Sequence, residues 1–101
     1  MTTRGRRSGL PRQIEIWFTE HQGRFYLIAE YATSQWVQNI RANAAVQVKL
    51  ADRQFTAQAR ILPQESEPDL VAEAQKLSRE KYGWGDGLVV EIVPLAGAGQ
   101  Q

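Results

Sequence analysis

A chain of 101 residues with 43% hydrophobic and 23% charged side chains and a formal net charge of +1 can bury one core, which excludes a fibre and a disordered segment. The absence of cysteine excludes disulfides, thiolate nucleophiles and Cys-based zinc or iron–sulfur centres. His21 is the single histidine, so neither a metal site nor a serine triad with a histidine to spare is expected. No apolar stretch reaches the roughly 18 to 20 residues of a membrane span, and the N-terminal residues lack the apolar run of a signal peptide, so the expectation is a cytoplasmic protein with no membrane span.

Positive charge is concentrated at the start, in TTRGRRSGLPR, where Arg4, Arg6, Arg7 and Arg12 surround a Ser8-Gly9 pair with no acid among them. Residues 1–12 are therefore set apart as a basic, anion-binding arm, ahead of a barrel domain over 13–95 and a flexible Gly-rich tail over 96–101. A solvated terminal arm is the plain alternative. Gln13 to Thr19 alternates, with Ile14, Ile16 and Phe18 on one face and Glu15, Trp17 and Thr19 on the other, and reads as one strand. His21-Gln22-Gly23 supplies a turn into Arg24–Glu30 (RFYLIAE), a strand apolar on both faces and hence central in its sheet. That second apolar face predicts a homodimer in which Trp17, Tyr26 and Ile28 pack against their symmetry mates.

Thr33 or Ser34 caps a short helix with Trp36, Val37 and Ile40 on one side and Gln38, Asn39 and Arg41 on the other, ending near Asn43. Ala45–Leu50 and Gln54–Leu62 alternate around an Asp52-Arg53 turn and form a second hairpin. Ser66 opens a longer helix, with Pro68 in its first turn, Leu70, Val71, Ala74 and Leu77 at helical spacing, and Gly83 as its stop. Leu88–Val93 is a β-branched final strand. Strands joined mainly by hairpins, with two helices to cover them, predict a mainly β fold with peripheral α: a small, partly open antiparallel β-barrel of about six strands.

Two motifs then stand in order. Thr3, Gly5, Arg6, Arg7, Ser8, Gly9 and Arg12 spell T-x-G-R-R-S-G-x-x-R, and Trp36, Asn39, Ile40, Ala42 and Asn43 spell W-x-x-N-I-x-A-N before a V-x-V strand. This pattern, from about Thr2 to Ile61, resembles the deazaflavin-dependent nitroreductase family. The resemblance implies a split β-barrel oxidoreductase that uses coenzyme F-420, related to the flavin-binding pyridoxamine-phosphate-oxidase-like proteins. It further implies that Arg6, Arg7, Ser8, Gly9 and Arg12 grip the cofactor's anionic tail, with Trp36 and Asn39 beside it. Guanidinium forks and a hydroxyl suit phosphate and carboxylate oxygens. On its own, Trp36 on a short helix is more often a core anchor, and Asn39 equally suits a helix cap. Where the family carries a Ser-Lys-Gly-like segment, this chain has Glu30-Tyr31-Ala32, and Tyr31 is the expected catalytic proton donor there.

The expected function is hydride transfer between reduced coenzyme F-420 and a small organic substrate. A non-catalytic carrier of F-420 or FMN is the alternative. Nucleic-acid binding ranks third, because the basic charge does not continue as a stripe with interleaved aromatics.

Overall fold

In a computed structural model of the chain, residues 1–15, 18–31, 33–50 and 53–95 are described. They form strands β1 (Thr2–Arg4), β2 (Pro11–Gln13), β3 (Phe18–His21), β4 (Arg24–Ala29), β5 (Ala45–Leu50), β6 (Arg53–Ile61) and β7 (Leu88–Pro94), with helices α1 (Gln35–Ala42) and α2 (Pro68–Tyr82). All strands belong to one antiparallel sheet in the order β2-β1-β5-β6-β7-β4-β3. The sheet is not closed, and β2 and β3 are its two edges.

Those edges are consecutive in the chain. From Gln13, the end of β2, to Phe18, the start of β3, five peptide links can span at most about 17 Å. The edges of a flat seven-stranded sheet would lie about 29 Å apart. The sheet must therefore curl until its edges approach, which makes the split barrel expected from the sequence.

The same connection corrects the expected strand over 13–19. Gln13 pairs with Thr2 on β1, whereas Phe18 pairs with Leu27 on β4, so the two ends of that run serve opposite edges. Alternation reports which face a residue takes, not which strand it pairs with. Ile16 and Trp17 lie outside the described residues, and with them the part expected of Trp17. The basic segment is likewise part of the sheet: Thr3 pairs with Arg12 and Thr2 with Gln47, so β1 and β2 form a hairpin with residues 5–10 as its loop.

Alternation along the curled strands builds two cores. Inside the barrel pack Phe25, Leu27, Val46, Val48, Phe55, Ala57, Ala59, Val90 and Ile92, with Ile40 of α1 at one end. Outside it, α2 lays Val71 and Ala74 over Tyr26, Ile28, Leu62 and Val89. The second face of β4 is thus covered by the chain's own helix, with Tyr26 4% and Ile28 9% exposed. This corrects the argument that these two residues need a symmetry mate. Thr19, on the face opposite Phe18, is also buried, beside the end of α2.

Helix α2 takes Glu67 as its N-cap residue, one position beyond the expected Ser66, and ends at Gly83, whose N–H donates to the Arg79 carbonyl at 2.8 Å. Glu67 is held there by Arg60 of β6, which pairs with its carboxylate. Arg60 also meets Glu91 of β7 at 2.9 Å, Arg24 of β4 meets the same carboxylate at 3.2 Å, and the Tyr26 hydroxyl donates to it at 3.1 Å. Glu91 is 1% exposed, so burial alone would raise its pKa. The hydrogen bonds from Arg60, Arg24 and Tyr26 outweigh that and hold it below its ordinary value. Burial first, and the bond to Glu91 second, push the Tyr26 phenol up to about 12. Three strands and a helix start are pinned on one carboxylate. Among the described residues no helix is long and apolar enough to cross a membrane.

Because the Glu91 pKa is depressed on folding, its contribution is complete above the unfolded value and is lost as pH falls through the folded one. Glu91→Gln is expected to lower stability at neutral pH by roughly 1.5 to 3 kcal/mol. The gap to the parent should close as pH drops below the ordinary carboxyl value of 4.5. Urea melts of both proteins across that range test it, and a pH-independent gap refutes it.

Candidate anion-binding cleft

The loop between β1 and β2 is folded on itself. The Gly5 N–H donates to the Leu10 carbonyl and the Gly9 N–H to the Gly5 carbonyl, each at 2.8 Å, while the Leu10 N–H meets Ser8 Oγ at 3.2 Å. Arg4 Nη1 closes it from outside by donating to the Gly9 carbonyl at 3.1 Å. Gly9 has φ +73°, a conformation side chains resist. A Cβ on Gly5 would stand 2.9 Å from Ser8 Oγ, so the loop also depends on close approach. The glycines thus serve loop closure, and their own N–H groups are engaged inside it. Among the described residues the successive N–H groups of Arg7 and Ser8 carry no such bond.

Asn39 fastens this loop to α1. The helix side with Val37 and Ile40 is buried, and Asn39, expected on the opposite side with Gln38 and Arg41, is buried with them at 4% exposure. Its Oδ1 accepts the Arg6 backbone N–H at 3.2 Å and Arg6 Nη1 at 3.1 Å, and its Nδ2 donates to Thr3 Oγ1 at 3.3 Å. Arg6 Nη1 also donates to Gln35 Oε1 at 2.8 Å, one helical turn before Asn39. Asn43 instead serves the helix end, its Oδ1 accepting the Ala45 N–H at 3.1 Å.

Between loop and helix lies an open cleft of about 660 Å³ whose walls include Arg6, Arg7, Ser8, Arg12, Trp36 and Asn39. Six of the residues singled out in the sequence therefore converge. Within them the roles divide. Arg6 is turned onto Gln35 and Asn39, while Arg7 and Arg12 are exposed and, among the described residues, have no carboxylate partner. Trp36 packs partly buried against the inner core and also lines the cleft. Gly9 shapes the loop without lining the cleft. Tyr31 stands apart on the turn between β4 and α1, 62% exposed, and borders none of the three main clefts.

Gln13 and Ile14 are shared with a second cleft, of about 380 Å³, at the mouth of the barrel where the two edges meet. Its walls are mostly apolar, from Phe18, Phe25, Leu27, Val48 and Ile92, with Lys49 and Glu15 at hand. The sequence reading missed Thr3 and Gln35 as loop fasteners and Gln13-Ile14 as the joint between clefts. The four-residue spacing of Gln35 and Asn39, which puts both on one helix face, was the available signal.

The edge hairpin of this split barrel thus carries exposed arginines over a cleft that adjoins a mostly apolar mouth. The chain matches the F420H(2)-dependent quinone reductase family over residues 1–87, and it belongs to that family. It is thus a member of an oxidoreductase family whose cofactor is coenzyme F-420. The match runs through α2 and beyond, further than the stretch to Ile61 that carried the resemblance. No curated protein matches the chain.

Asn39→Leu keeps the size of the side chain and removes its bonds, leaving the buried Thr3 hydroxyl and the Arg6 N–H without their partner. A loss of roughly 1 to 3 kcal/mol in stability is expected, together with faster hydrogen exchange at the Arg6 amide. Unchanged exchange there would show that the loop does not depend on Asn39.

Proposed function

We propose that the chain binds reduced coenzyme F-420 across the two joined clefts and works as a reductase, with a hydride passing from the cofactor to a small organic acceptor such as a quinone or a nitroarene. The observation that carries this reading is the continuity of a cationic cleft with an apolar one through the common walls Gln13 and Ile14. The donor set fits the tail. Arg7 and Arg12 offer guanidinium forks, and the adjoining N–H groups of Arg7 and Ser8 add fixed donors for phosphate or carboxylate oxygens. Arg6 is a positioning residue that keeps the loop against α1.

The barrel mouth fits the ring. Phe18, Phe25, Leu27, Val48 and Ile92 give an apolar wall that would displace water from one side of a planar system. When bound, the cofactor supplies the hydride; the chain supplies position, a dry face and charge. Lys49, which borders this cleft, places a cation beside the ring. All these walls come from one chain, so the reading needs no second copy, and it assigns no step to Tyr31. FMN, with a single phosphate, would use the same donors, and a carrier without turnover would look alike until an acceptor is added.

The Arg7→Ala, Arg12→Ala double variant tests the cradle. Both side chains are exposed and unpaired with acids, so its melting temperature should match the parent's. Cofactor affinity, read by fluorescence titration, should fall by roughly 100- to 200-fold, the equivalent of about two charged hydrogen bonds at the low end of their range. Equal affinity in parent and variant removes the tail assignment. Loss of the reduced cofactor's signal upon adding a quinone or nitroarene separates enzyme from carrier.

A further inference from the structure

Phe18 stands at a junction. It begins β3, ends the link that draws the two sheet edges together, and forms part of the wall of the apolar mouth. Because β3 is an edge strand with β4 as its one neighbour, carbonyls on its open side need donors from outside the sheet. For Phe18 those donors come from the last turn of α2. The Tyr82 O–H donates to the Phe18 carbonyl at 2.7 Å, and Lys81 Nζ donates to the same oxygen at 3.2 Å.

The ring of Phe18 is held as well as its backbone. Lys81 Nζ lies 5.1 Å from the ring centre, and Phe25 meets the ring edge-to-face with centroids 5.5 Å apart and planes at 78°. Phe25 in turn stacks on Phe55 at 5.7 Å, within the inner core. A row of three aromatic rings thus runs from the seam into the barrel, and its first member is only partly buried. Neither Lys81 nor Tyr82 borders the mouth, so whatever they do there they do through Phe18.

A wall that must be ordered when a ligand arrives weakens binding by the cost of ordering it, whereas a wall already fixed does not. We propose that Lys81 and Tyr82 are positioning residues for the barrel mouth, which hold Phe18 from outside and so preset the surface against which a planar ring packs. This rests on the reading of the mouth as the ring site of the cofactor. It gives the end of α2 a part in ring binding that the arginines of the hairpin do not share.

Lys81→Met keeps most of the stem and removes the charge and the donor, while Lys81→Arg retains a cation with donors. Tyr82→Phe removes the hydroxyl alone and keeps the ring over which Lys81 Nζ also sits, at 5.1 Å. In methyl NMR spectra of the full chain without ligand, Lys81→Met and Tyr82→Phe should each shift the signals of Leu27 and Val48, which share the mouth with Phe18. Those of Leu62 and Val71, in the outer core, should stay in place. Coenzyme F-420, titrated by fluorescence, should bind roughly three- to tenfold more weakly to each of these two variants and with the parent's affinity to Lys81→Arg. Between low and high salt the affinity of Tyr82→Phe should change by the same factor as the parent's, because the contacts to the anionic tail are untouched. A general loosening of the fold would move the outer-core methyls and the salt response as well. Mouth methyls that do not move in either variant overturn the proposal, and so does parent-like F-420 affinity in both. A parent that binds no F-420 overturns the cofactor reading and this one with it, whereas equal binding by parent and variants overturns this one alone.

Discussion

The short link from Gln13 to Phe18 is the constraint on which the rest of this molecule depends. Because it joins the two outermost strands, it converts a seven-stranded sheet into a barrel with a seam. The seam is where the apolar mouth opens, since β2 and β3 come close there without pairing. An edge strand ordinarily invites pairing with another chain. Here the edges are very short, and Pro11 and Arg12 fill two of the three positions of β2, so that edge is charged as well as brief.

Two fastenings hold the sheet in this shape, one on each side of the seam, and they use opposite chemistry. At the hairpin, a neutral buried amide, Asn39, accepts from Arg6 and donates to Thr3, tying β1 and its loop to α1. On the outer face a buried carboxylate, Glu91, gathers Arg24, Arg60 and Tyr26 from neighbouring strands, and Arg60 passes on to Glu67 at the start of α2. A buried ion pair is weak as a source of net stability, because desolvation offsets the attraction. It is strong as a source of register, since a one-residue slip of β7 would turn Glu91 into the barrel interior among Phe25, Ala59 and Ile92.

Much of this was legible in the chain. Both helices, the β3–β4 and β5–β6 hairpins and the last strand follow from period and turn residues, because each is a local pattern. The pairing partners of 13–19 were not legible, because a strand edge is defined by what lies beside it in space and alternation is silent on that. The second face of β4 was read as a call for another protein, since sequence shows that Tyr26 and Ile28 are apolar but not that α2 returns over them. For the site, the two motifs and the resemblance they carry brought out Arg6, Arg7, Ser8, Gly9, Arg12, Trp36 and Asn39, of which all but Gly9 line one cleft. What spacing could not reveal is the division among the arginines: whether a guanidinium is free or engaged depends on the acceptor opposite, and for Arg6 that acceptor is 29 residues away at Gln35.

The free state of Arg7 and Arg12 rests on where the acids are. The chain has 12 basic and 11 acidic residues, nearly balanced overall. Glu65, Glu67, Asp69, Glu73, Glu80, Asp86 and Glu91, most of the acids, fall on or around α2 and β7. There they are partly answered by Arg24, Arg60 and Arg79. A nearly neutral protein thereby keeps a locally positive cleft. On the proposed reading, an anionic tail held by Arg7 and Arg12 would loosen as salt rises, while the apolar contacts at the barrel mouth would change far less. The two joined clefts would thus make separable demands on one ligand, charge at one end and shape at the other.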